Sequence, residues 1–131
     1  MSTNRPNKKE LVEAVREFLE NKLQPAVEGQ ISLHTRIAVN MLKIVERELT
    51  LGPDLDQREL ERLHALLDQE GTLEDLNAVL CQKLKSGEID YRNKKLIEHL
   101  RLTSLGKLSI DNPEYSAYKR AVEKQEYLWF Y

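Results

Sequence analysis

Apolar residues recur at three- and four-residue intervals through most of this 131-residue chain, and no stretch alternates apolar with polar in the two-residue rhythm of a half-buried strand. That regularity confines the chain to helices. Asn7 and Glu10 have capping-box spacing, and Leu11, Val12, Val15, Phe18 and Leu19 follow at helical intervals, so a first helix is expected over about 8–23, bounded by Pro25. A second runs over about 30–51 and is expected to stop at Gly52-Pro53. Asp56 with Glu59 caps a third, striped by Leu60, Leu63 and Leu67 and closed by Gly71. Thr72 with Asp75 opens a fourth on Leu73, Leu76, Val79, Leu80 and Leu84, closed by Gly87. A fifth spans about 93–110 on Leu96, Ile97, Leu100 and Leu108, and Asn112-Pro113 separates it from a short sixth over about 113–125. Connections this short favour antiparallel neighbours, which makes the expected fold an all-α, single-domain antiparallel bundle of about five to six helices over 1–131.

A chain of this length can bury roughly two thirds of its unfolded surface and so can hold its own core. Charged residues make up 32% of it, above the usual quarter, as long solvated helix faces require. The net charge of −2 gives no global attraction to nucleic acid or anionic lipid. Locally, Asp54 to Asp75 is acidic and Arg92 to Lys107 basic. The simplest reading is two solvated faces of opposite sign. No apolar run approaches the roughly 18 residues of a membrane span, and the lone Cys81, with no signal-peptide pattern, points to a reducing cytoplasm.

The polar residues of the second helix fall unevenly. At about 100° per residue, His34 lies amid Ala38, Met41, Leu42, Val45 and Leu49, and Glu48 falls about 40° away in the same arc. Arg36 and Asn40 mark the opposite, polar stripe. On the fifth helix Thr103 and Lys107 interrupt the line of Leu96 and Leu100, and a buried lysine needs an acid. Glu48 and Asp111 are the candidates. The expectation is a buried or cleft-lining cluster of His34, Glu48, Lys107 and Asp111, with Arg36, Asn40 and Asn112 as weaker companions. Such a cluster fixes helix register, or it forms a pocket in which His34 and Glu48 act as an acid/base pair.

Other motifs carry less. Glu61 and His64 have the Glu-x-x-His spacing of helical di-iron sites, which need two copies and further glutamates; no metal or cofactor is expected. His64 and His99 read as residues beside leucine stripes, and Cys81 as a small hydrophobe. Ser104 and Ser109 lack a nucleophile-elbow context. Tyr115 and Tyr118 share a face with Val122 and are expected to pack. Four of the eight aromatic residues, Tyr127, Trp129, Phe130 and Tyr131, crowd the tail at 126–131, which is expected to dock on its own bundle or on another subunit.

Several segments together resemble an uncharacterised family of small bacterial helical proteins. They are Glu10 to Leu19 after Arg5-Pro6, His34 to Asn40, Val45 to Leu49 with Leu51-Gly52-Pro53, and Lys107 to Tyr115. The resemblance covers most of residues 5–120 and implies a gene neighbourhood with phosphotransferase-like kinases and acyl-CoA dehydrogenases, but no established reaction. The expected function is a non-enzymatic accessory or protein-binding module beside such an enzyme, able to self-associate through its aromatic tail. The alternative is a small enzyme or ligand-binding protein built on His34, Glu48 and Lys107.

Overall fold

The structure, a computed structural model, describes residues 4–124; the aromatic tail and its expected docking lie outside them. All regular structure among these residues is helical, as in a helical bundle. In chain order come α1 (Lys8–Phe18), a π turn (Leu19–Leu23), a 3-10 turn (Gln24–Ala26), α2 (Gly29–Leu67), α3 (Leu73–Ser86), α4 (Lys94–Asp111) and α5 (Ser116–Glu123). The helices group into two compact units that divide between Gly52 and Pro53.

That division falls inside a helix. The expected stop at Gly52-Pro53 is not one: the second and third expected helices are a single 39-residue α2 with Pro53 in its interior. Pro53 has no N–H for the Leu49 carbonyl. The residue before it is Gly52, which has no Cβ to meet the proline ring, so the usual bar to helix at that position is weak. One lost bond among many is tolerated, and the breaker marks the border between units instead of the end of an element.

The N-terminal unit is a hairpin. Asn7 Oδ1 accepts the Glu10 N–H at 2.9 Å while Glu10 accepts the Asn7 N–H at 3.1 Å, so the capping box forms. The helix then widens into the π turn, and Pro25 sits in the 3-10 turn. The return along α2 is antiparallel, because partners run in opposite order: Arg16 Nε donates to Glu46 at 2.6 Å, Lys43 pairs with Glu20 at 3.0 Å, and Gln24 Nε2 donates to Ser32 Oγ at 2.7 Å. Arg16 also reaches Glu20 at 2.9 Å, so the four charges form one ladder.

The C-terminal unit has the conventional core. Leu63, Leu67, Leu76, Leu80 and Leu96 are buried together, with Leu60, Leu73 and Val79 against them. Leu102, Leu105 and Tyr118 form a second cluster with Leu55 and Val122. Each buried leucine contributes about 1.5–3 kcal/mol. Thr72 caps α3, its Oγ1 accepting from Asp75 N at 3.1 Å, and Gly87 ends it in the left-handed region at φ 79°. Asn93 caps α4 through Leu96 N.

Four details differ from expectation. The helix before α3 ends at Leu67, where Asp68 and not Gly71 takes the left-handed turn at φ 49°. Helix α5 starts at Ser116, because Asn112-Pro113 forms a turn closed by Tyr115 N–H to Asn112 O at 3.1 Å; Tyr115 is exposed and only Tyr118 packs. Leu84 and Cys81 are exposed on α3. Finally, α4 buries a different face. Its inward residues are Leu96, His99, Leu102, Leu105, Gly106 and Ser109, while Ile97 and Leu100 face water. Gly106 packs beside Leu55 of α2, where an added Cβ would make an ordinary contact at 3.4 Å from Leu55 Cδ2, and Ser109 satisfies its hydroxyl on Gly106 O at 2.6 Å.

Candidate functional site

The hairpin of the N-terminal unit is sharply two-sided. Thr35 and Val39 alone are fully buried among its described residues. The charge ladder runs along one side of the contact between α1 and α2. By helical geometry the stripe Leu11, Val15, Phe18 of α1 and the arc containing Ile31, Met41 and Val45 of α2 emerge away from it. These six side chains, with Leu33 and Ile37 at the outer edge, are each between 38% and 62% exposed. Eight large apolar residues on one face, each more than a third exposed, make a patch on the order of 500 Å², toward the top of the largest apolar patch usual on a soluble monomer.

His34 and Glu48 lie in this arc, as their angular positions require, but the arc is uncovered and both are exposed. The expected inward orientation is therefore corrected: periodicity identifies an apolar arc and does not say what lies on it. The expected acid/base pair is corrected as well. Both residues belong to the continuous part of α2, fourteen positions apart, and a rise of about 1.5 Å per residue separates them by about 21 Å along the axis. No proton passes between them within one chain.

Arg36 and Asn40 are exposed one turn apart on the polar flank of α2. In the C-terminal unit Lys107 and Asp111 are exposed one turn apart on α4, and Asn112 is exposed at its C-cap, donating to Leu108 O at 2.9 Å. Lys107 thus needs no buried acid: α4 is rotated so that the lysine points to solvent, and Thr103 sits at the margin of the buried face.

A buried imidazole and cation do meet, at residues outside the expected set. His99 is 3% exposed, and its Nδ1 accepts from Arg62 Nε at 3.1 Å. Arg62 Nη2 donates to Thr103 Oγ1 at 3.0 Å, so one guanidinium clasps α2 to α4. Burial, and then the charge of Arg62, hold His99 below its ordinary pKa, with Glu59 opposing. The ring is neutral and, accepting at Nδ1, carries its hydrogen on Nε2. Burial also lowers Arg62, while Glu59 and Glu98 favour its charge. Glu59 in turn accepts from Asn77 Nδ2 at 3.1 Å, tying in α3. Groups bonded to one another this way position helices; they present no base to a substrate. The signal for the clasp was Thr103 one turn after His99 on α4, a pair of polar residues at the edge of a leucine face.

Two other features are modest. His64 Nε2 lies 3.3 Å from Gly71 O, and no group of three or more metal-type ligands converges among the described residues. An open depression on α3, lined in part by Val79, Gln82 and Ser86, has its charges, Lys83 and Glu88, bridged at 3.1 Å.

An all-α fold with an uncovered amphipathic hairpin and a polar-clasped core defines the class, and the sequence supplies the family. The chain belongs to a family described as a domain of unknown function, DUF6285, whose model matches residues 25–115. The match spans all of α2, α3 and α4 and leaves α1 outside. No curated protein and no solved structure matches the chain. No described helix is long and apolar enough to cross a membrane.

Proposed function

We propose that this domain is a non-enzymatic accessory module that binds protein through the apolar face of its N-terminal hairpin. The observation that carries the reading is the pairing of a large exposed stripe, from Leu11 to Phe18 and Ile31 to Val45, with a unit that buries, among its described residues, only Thr35 and Val39. Contiguous apolar surface of that extent marks a site of contact. The resemblance noted in the sequence supplies the finer reading: a phosphotransferase-like kinase or an acyl-CoA dehydrogenase as the enzyme served, in a bacterial cytoplasm.

A small enzyme built on His34, Glu48 and Lys107 draws less support, since the first two stand about 21 Å apart on one helix. The test is co-expression of the full chain with each enzyme from its own genome, as wild type and as Ile37→Asp/Met41→Asp. The reading expects stoichiometric co-purification that the double variant abolishes, with α-helical content retained. A double variant identical to the parent in melting temperature, hydrodynamic size and retained enzyme would remove the binding role of this face.

A further inference from the structure

We propose that the apolar face of the hairpin is closed by a second copy of the chain, its α2 packed antiparallel on the first about a two-fold axis at Met41. This rests on the reading of that face as a protein-binding surface and names a second copy, in place of the enzyme, as what covers it.

The first support is energetic. A hairpin unit with, among its described residues, a single buried large apolar side chain, Val39, lacks the core that a free-standing unit of its size needs. Closing two patches of roughly 500 Å² on each other removes about 1,000 Å² from water before any rim is counted, which reaches the lower bound for a specific interface.

The second support is register. In an antiparallel two-fold pair, residues equally far before and after the axis come level with each other. Met41, at 62% the most exposed of the stripe, sits at the centre and meets its own copy. Ile37, four positions before it, comes level with Val45, four positions after. His34, seven before, comes level with Glu48 of the partner subunit, seven after, and the pairing occurs twice. The two lie within about 40° of each other around the helix, so both fall near the seam. A parallel arrangement would instead set Glu48 beside Glu48, and like charges at an interface are penalised. His34 and Glu48, too far apart to pair with each other within one chain, thus become complementary between two, and they specify direction and register.

The test uses the full chain in a Cys81→Ser background, which removes the exposed native thiol. Light scattering after gel filtration is expected to give a dimer. Met41→Cys is expected to form an intermolecular disulfide on mild oxidation, since the axis brings the two α-carbons within bonding range; Asn40→Cys, on the polar flank, is expected not to. His34→Glu should weaken the dimer about tenfold or more, and His34→Glu/Glu48→His should restore it. A dimer that links at position 40 but not 41, or one indifferent to the charge changes, overturns this pairing. A chain monomeric up to hundreds of micromolar overturns the second copy as occupant. If that monomer still retains one of the proposed enzymes, and loses it with Ile37→Asp/Met41→Asp, the broader binding reading stands while this inference fails.

Discussion

The two units solve the same problem, a helix with an apolar face, in opposite ways. In the C-terminal unit Leu63 and Leu76 are fully buried, and even the polar members of the interior, His99 and Ser109, are satisfied within the unit. In the N-terminal unit the ionic ladder joins the helices along one side while Phe18, Ile37 and Met41 face water. One unit encloses its apolar face; the other leaves it in water. The lesson is that a strong amphipathic pattern guarantees an interface without saying whether the partner lies in the same chain.

The largest expected contrast comes from apolar truncation. Leu63→Ala or Leu76→Ala should cost about 2–5 kcal/mol in denaturant melts of the full chain. Ile37→Ala, at low protein concentration, should cost under about 1 kcal/mol, because its side chain is already half exposed. Equal losses in the two units would break the comparison.

Next in size is the clasp. Arg62→Met keeps the aliphatic stem but leaves His99 Nδ1 and Thr103 without their donor, at a cost of about 1–3 kcal/mol. The same pair gives a pH dependence. His99 has a lowered pKa in the folded chain, so between that value and the unfolded one near 6.5 the unfolded state binds more protons. Its contribution is therefore fully present above about pH 6.5, is lost as pH falls through the window below, and then levels off. Urea midpoints measured from pH 7.5 downward should show this loss, and His99→Leu should flatten it.

The smallest effect belongs to the ladder. Arg16→Met should cost about 1 kcal/mol or less, and the difference should shrink in high salt.

Much of the secondary structure was legible because it is written in local chemistry. Asn7, Thr72 and Asn93 cap helices, and Gly87 ends one, for reasons confined to a few residues. What was misread depends on tertiary partners. Gly52-Pro53 has the composition of a stop, yet a helix that is stabilised on both sides of it bears the missing bond. The buried face of α4 was misplaced because hydropathy favours Leu100 and Ile97 over His99, Gly106 and Ser109. Those three are buried because each has a specific partner or a close neighbour. On α2 the position of His34 and Glu48 around the helix was read correctly and their burial was not. Angle follows from sequence, whereas cover depends on what packs there.

Hydrogen exchange across a concentration series compares the two units in one experiment. Protection of residues 55–123 should be independent of concentration, while that of residues 8–52 should rise as the chain associates, most strongly around Met41. Protection in the N-terminal hairpin as strong as that of the leucine core, and unchanged from the lowest concentration to the highest, would contradict the claim that its apolar face awaits a second copy.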